Sequence, residues 1–242
     1  MNYFGRNHII KTVGIIGGLG PETTSEFYLN LIKDCRIYCN RYPSVVIDSL
    51  SLSFSLEKDI VRYSKNEEKL LPLLKESVKR LNRAKVDFIV IPCNTVHVFI
   101  EELRRCSSVP IISIVDETSN LVKKRGYKKV GLLATTKTVD TKLYENSSKT
   151  YGINILLPTK REQDKISSII IKILKCNISD KDKKILESII NSLVQRGAEA
   201  IILGCTDLQL ILTQNQFKIE LLDSMKILVQ STFNILFHKN KL

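Results

Sequence analysis

One pattern occurs twice in this chain, and that repetition restricts the fold more than any other feature. Residues 83–95 read Arg-Ala-Lys-Val-Asp-Phe-Ile-Val-Ile-Pro-Cys-Asn-Thr, and residues 196–207 read Arg-Gly-Ala-Glu-Ala-Ile-Ile-Leu-Gly-Cys-Thr-Asp. In both, an apolar, β-prone run stops at a cysteine followed by small polar residues. Two further pairs recur at nearly the same separation, a little over a hundred residues. Val13-Gly-Ile-Ile-Gly returns as Val130-Gly-Leu-Leu-Ala, and Pro110-Ile-Ile-Ser-Ile-Val-Asp returns as Ile219-Glu-Leu-Leu-Asp. A fixed lag with the same order of elements marks a duplicated unit. It predicts two related halves of four strands each, 1–115 and 116–223, with a last helix over 224–242 returning to the first half.

The strands fall at residues 12–16, 45–47, 88–91, 111–114, 130–133, 153–157, 200–203 and 220–222. Most are continuously apolar, as parallel strands covered on both faces are. Between them lie helical stripes. Residues 67–83 set Leu70, Leu74, Val78 and Leu81 on one face, and 183–196 do the same with Leu186, Ile189, Ile190 and Leu193. Strand–helix alternation predicts an α/β protein of two pseudo-symmetric domains. Each is a four-stranded, mainly parallel sheet flanked by helices, and halves that face one another leave a cleft between them.

Composition matters mainly for what it excludes. With 242 residues, 43% hydrophobic and 26% charged, the chain has the make-up of a globular protein. It has no apolar run near the ~20 residues that span a bilayer. The apolar stretch near the N-terminus runs straight into a glycine turn, so it reads as a first strand and not a signal peptide, which predicts a cytoplasmic protein. The net charge of +12 comes from lysines scattered along a chain with only four alanines, a codon-biased composition. No aromatics interleave with them as a strand-stacking platform requires, so neither nucleic acid nor membrane is an expected partner. A positive field does help to collect a small anionic substrate.

The six cysteines, Cys35, Cys39, Cys93, Cys106, Cys176 and Cys205, include no C-x-x-C and no zinc-finger spacing. They predict neither a metal site nor a disulfide framework. Cys35 and Cys39 share a helix face with Tyr28, Leu31 and Ile32 and read as packing. Cys93 and Cys205 differ, because each follows a buried parallel strand and precedes a helix start. Ligands of open α/β sheets bind beyond the carboxyl ends of strands, and a helix N-terminus favours a thiolate. Each half therefore presents one candidate activated thiol, and facing halves bring the two across a cleft. The turn Gly17-Gly18-Leu19-Gly20-Pro21 lacks both the dinucleotide fingerprint and the P-loop ending, so it is a tight turn or a carboxylate cradle. Thr135, in Ala134-Thr135-Thr136-Lys137-Thr138, holds the equivalent place in the second half, to bind a carboxylate or cap a helix.

Three motifs taken together, Gly-Gly-Leu-Gly-Pro at 17–21, Pro-Cys-Asn-Thr-Val-His at 92–97 and Gly-Cys-Thr-Asp at 204–207, resemble the cofactor-independent aspartate/glutamate racemase family, and within it the aspartate racemase branch. The resemblance runs from about Thr12 to about Met225. It implies an enzyme without a cofactor, two α/β domains with the active site in the cleft between them, an acidic amino-acid substrate and a homodimer. It also implies that Cys93 and Cys205 remove and return the α-proton on opposite faces. By the same resemblance Asn94, Thr95 and Val96 bind the α-carboxylate, Leu19 and Thr206 flank the substrate, and Lys175 approaches a substrate carboxylate.

Two positions depart from the family pattern. Leu56 stands where aspartate racemases often carry a basic residue, with Lys58 or Arg62 as substitutes, and Asp207 stands where Glu is commoner. His97, four residues after Cys93, either tunes the thiol or packs in the core. His8 and His238 carry no signal. A superfamily decarboxylase or isomerase, which needs one such cysteine, and a non-catalytic amino-acid-binding module are the competing readings. The paired thiols favour racemisation over both.

Overall fold

The computed structural model describes residues 11–63 and 65–237, and only the backbone of Arg62 and Glu67. His8 and His238, and the ends of the expected ranges at 1–10 and 238–242, lie outside the described residues. In the first half, β1 (Thr12–Gly17), β2 (Ser44–Ser49), β3 (Phe88–Val90) and β4 (Ile111–Ile112) alternate with α1 (Pro21–Cys39), α2 (Phe54–Tyr63), α3 (Leu70–Arg83) and α4 (Ile100–Cys106). Helix α5 (Ile114–Arg125) leads into the second half. There β5 (Lys129–Ala134), β6 (Asn154–Leu156), β7 (Ala200–Gly204) and β8 (Glu220–Asp223) alternate with α6 (Thr136–Asp140), α7 (Leu143–Ser148), α8 (Lys160–Leu174) and α9 (Asp180–Gln195). Helix α10 (Ser224–Phe237) follows β8.

The two sheets have the same order, β2-β1-β3-β4 and β6-β5-β7-β8, and every pairing is parallel. In each sheet the chain leaves the first strand for one edge, then crosses back to the other side. That reversal opens a crevice beyond the carboxyl ends of the two central strands. The turn at 17–20 follows β1 and Cys93 lies just beyond β3; Thr135 follows β5 and Cys205 follows β7. The duplication thus sets the four candidate segments at two equivalent crevices.

All eight expected strands are present, with shifted ends where local chemistry wins. The strand expected over 111–114 stops at Ile112, because the Ser113 hydroxyl accepts the Asp116 N–H at 3.1 Å and starts α5. The helix expected over 67–83 begins as a 3-10 turn, Glu67–Lys69, before α3. Helix α9 starts three residues early, where Ser179 and Asp182 form a capping box. One core runs through both halves. It joins Val13, Ile15 and Phe27 to Val130 and Leu132 through Ile114, Met225 and Leu228. Each such side chain contributes about 1.5–3 kcal/mol when removed from water. Helix α10 packs against α1 and α5, so it lies within this shared core.

Candidate active site

The first wall begins at β1. Gly18 and Gly20 have φ of +76° and +86°, and a Cβ at Gly18 would collide with the Leu50 carbonyl oxygen. The Gly18 N–H donates to Thr24 Oγ1 at 3.1 Å, and the Gly20 carbonyl accepts the Thr23 and Thr24 hydroxyls at 2.8 and 3.1 Å. The first turn of α1 therefore uses the loop's own polar groups. The segment is a tight turn that brings Leu19 to the cleft.

Beyond β3, Thr95–Phe99 forms a 3-10 turn whose first N–H groups, those of Thr95 and Val96, face the Cys93 sulfur. His97 Nδ1 lies 2.8 Å from the Cys93 carbonyl, and the Ile114 N–H donates to Nε2 at 3.3 Å. With Nε2 accepting, Nδ1 carries the hydrogen, an assignment that follows from the bonding pattern. Burial lowers the His97 pKa to about 4, so the ring is neutral. It braces the backbone of Cys93 and does not touch the thiol.

Opposite, Cys205 donates from its thiol to Asp207 Oδ2 at 3.4 Å, and the Thr206 hydroxyl reaches across to the Pro92 carbonyl at 3.4 Å. Cys93 and Cys205 both line one cleft, with Leu19, Thr135 and Thr206 beside them. Asn94, Thr95 and Val96 complete the polar side. The cleft has a cavity volume of about 40 Å³, room for a few waters. Thr95 Oγ1 and Thr135 Oγ1 are 3.0 Å apart, joining the two halves at the cleft floor. The Asn94 amide is largely committed: its nitrogen donates to Ser224 Oγ at 3.0 Å and its oxygen accepts from Tyr144 at 2.6 Å.

Lys175 is the expected site residue that the structure does not bring into the cleft. It caps the end of α8 on the surface, and its ammonium stands 5.7 Å from the centre of the Phe54 ring. Leu56 packs into the first-half core, Lys58 is not part of the lining, and the Arg62 side chain is outside the described residues. The residue that sequence reasoning missed is Glu57, which lines the cleft on α2 between Leu52, Ile60 and Val61. Its signal was the helical spacing of 57, 60 and 61, which sets a carboxylate on an apolar face.

Electrostatics in the cleft favour neutral thiols. Burial pushes Cys93 up to about 12, outweighing the Val96 and Thr95 N–H groups. Cys205 is pushed up by burial and then by Asp207. The helix-start effect expected from the sequence is present and is overridden by desolvation. Burial also raises Asp207 to about 6, and Glu57 to about 7 with help from Asp207 and Glu22. Among the described residues, no group of three or more His, Cys, Asp or Glu side chains is placed to hold a metal ion.

The Asp/Glu/hydantoin racemase family profile matches residues 16–232. The chain belongs to that family. By membership this Asp/Glu/hydantoin racemase is an isomerase, an amino-acid racemase. It is 29% identical over 225 residues to the broad specificity amino-acid racemase RacX of Bacillus subtilis (strain 168), a match covering 91% of this chain and 96% of that protein. The Picrophilus torridus aspartate racemase structure superposes with a TM-score of 0.79 at 27% identity, over 96% of each chain. An aspartate racemase homologue from Pyrococcus horikoshii OT3 superposes with a TM-score of 0.77 at 29% identity, over 94% of this chain and 99% of that one. The two four-stranded parallel sheets flanked by helices are the two-domain α/β fold of these structures. Among the described residues, no helix is long and apolar enough to cross a membrane.

Proposed function

We propose that this racemase interconverts the L and D forms of a free amino acid without a cofactor, with Cys93 and Cys205 as the two proton-transfer groups. The observation that carries this reading is the pair of thiols at equivalent strand ends, one from each half, lining one small cleft. Inversion at Cα needs a proton removed from one face and another delivered to the opposite face. One sulfur, as thiolate, takes the α-proton and becomes a thiol, while the C–H electron pair stays on Cα. The opposite thiol then gives its proton to the other face and is left as a thiolate. The substrate is inverted, and the enzyme's proton has changed sulfurs.

The α-proton is a very weak acid, so the carbanion needs fixed donors in place beforehand. The Asn94 N–H and the hydroxyls of Thr95 and Thr135 serve the α-carboxylate, the Thr95 and Val96 N–H groups steady the Cys93 sulfur, and Leu19 and Thr206 flank the substrate. The substrate's ammonium is a positive charge that makes a nearby thiolate easier to form. Asp207 takes part by accepting the Cys205 hydrogen, so the pair carries one negative charge and not two.

Aspartate is the substrate implied by the family branch, and the Picrophilus and Pyrococcus similarities support it. A second reading, an amino acid without a side-chain carboxylate, is favoured by the two carboxylates of the lining, Glu57 and Asp207. The similarity to a broad specificity racemase supports it as well. The deciding experiment follows α-proton exchange by NMR in deuterium oxide with a panel of L- and D-amino acids and no added cofactor, together with chiral analysis. Exchange with inversion, lost on alkylating the thiols, is expected. Exchange that survives alkylation overturns the two-thiol reading.

We also propose a homodimer, a division of the chain near Asp116, and residence in the cytoplasm. Leu29, Ile37, Tyr38 and Tyr42 are large apolar or aromatic side chains exposed on α1 and the turn after it, beside the edge strand β2. Burying such a face against a second copy removes apolar surface from water. Sedimentation velocity checks the dimer. Two cysteines needed as free thiols suit a reducing compartment.

A further inference from the structure

Racemisation as described uses the thiols, the polar floor and Asp207, and leaves Glu57 unused. Among the described residues its carboxylate has no hydrogen-bond or ion-pair partner. Among the described residues, the charged groups acting on it are Asp207 and Glu22, both acidic. No Lys or Arg is among the described residues of the lining. The carboxylate emerges from a wall of Leu52, Ile60, Val61 and Leu70, with α2 docked against α6 and α8 of the opposite half. Among the described residues, this half-buried carboxylate on an apolar wall has acids and no balancing cation acting on it.

This wall lines the same cleft as the two sulfurs, within reach of a substrate's side chain. We infer a pose with Cα between the sulfurs, the carboxylate on the Thr95 and Thr135 side and the ammonium beside Asp207. The third arm then runs along α2. We propose that the cleft takes an amino acid with a cationic side chain, lysine, ornithine or arginine. Its methylenes lie on Leu52, Ile60 and Val61, and Glu57 receives its terminal charge as the specificity-determining residue. This rests on the racemase reading and names its substrate class. A side-chain carboxylate in the same place would face Glu57 and Asp207 and be repelled.

The test compares lysine, ornithine, arginine, aspartate and norleucine, the uncharged analogue of lysine, in the exchange assay with the full chain. At least one basic amino acid is expected to exceed norleucine in kcat/KM by about tenfold or more, as a charge-assisted contact supports, and to exceed aspartate further. Glu57→Gln is expected to cut the kcat/KM ratio of the basic amino acid to norleucine by about tenfold, mainly through the KM of the basic amino acid. Glu57→Asp is expected to keep part of the preference. Melting curves of both variants confirm that they are folded. If aspartate or norleucine turns over as well as the basic amino acids, the inference is overturned and the racemase stands. The same holds if Glu57→Gln weakens every substrate alike, since Glu57 would then be holding the α-ammonium. If no amino acid exchanges its α-proton, the racemase reading fails, and this inference with it.

Discussion

A buried thiol next to a carboxylate is a weak acid, and burial holds both Cys93 and Cys205 above the ordinary thiol range. Replacing either with serine substitutes a hydroxyl that is weaker still. Cys93→Ser and Cys205→Ser should each lower racemisation by about 10³-fold or more, within the range of proton-transfer groups. One base remains in each variant, so each should still exchange the α-proton of a single enantiomer, and the two variants should choose opposite hands. Chiral chromatography beside NMR exchange checks this. Glu57 makes a prediction about stability. Its folded pKa, about 7, is raised above the ordinary carboxylate value of 4.5. The folded protein therefore binds more protons than the unfolded chain between those values, and stability falls as pH rises through that window. Glu57→Gln should raise Tm by a few degrees at pH 8, about 1–2 kcal/mol after allowing for partial solvent screening, and change it little near pH 4.5. Thermal melts at the two pH values test this. At this scale the sequence made the cysteines legible, because they end echoed strands. It hid Glu57, because the role of a carboxylate on α2 depends on what the other half puts opposite.

Helix α9 shows how an element's ends are decided by single side chains. Asp182 accepts from the Ser179 backbone and hydroxyl at 3.0 and 2.6 Å and from Lys172 on α8 at 2.6 Å, joining the start of one helix to the end of another. These donors lower the Asp182 pKa to about 2. The stabilisation is complete above the ordinary value of 3.8 and is lost as pH falls through about 2. Asp182→Ala should cost about 1–3 kcal/mol through the lost cap and ion pair, lowering Tm by several degrees at pH 7 and by much less near pH 2. The strands were legible because continuous apolar runs leave little choice. The ends were not, since a polar side chain competes for the same backbone groups. Ser113 and Asp116 carry a cap signature inside an apolar run, and the cap wins.

The halves meet through polar ties as well as through their shared core. Tyr144, on α7, donates to Asn94 beside Cys93, and Asn94 donates to Ser224 at the start of α10. Tyr144→Phe should leave the Asn94 oxygen unsatisfied in a buried site, costing about 1–3 kcal/mol. It should also lower kcat by letting the two walls drift. Urea denaturation and turnover together check that the two losses coincide. The duplication was legible from the sequence, and so was the idea of a cleft between copies. Which residues would touch across it was not, because the docking of α2 and α10 sets that and no local period encodes it. The copies also differ where they matter most. Asp207 stands against Cys205, while Cys93 has the Thr95 and Val96 N–H groups and a carbonyl braced by His97. Mirror-image amino acids are equally stable, so kcat/KM must be the same in both directions whatever the walls look like. The inequality between the sulfurs has to be absorbed elsewhere. In the proposed two-thiol reaction it sets which sulfur gives up its proton more readily once substrate is bound, and how each direction divides its rate between binding and chemistry. The enzyme favours neither product, yet between turnovers it has a handedness of its own.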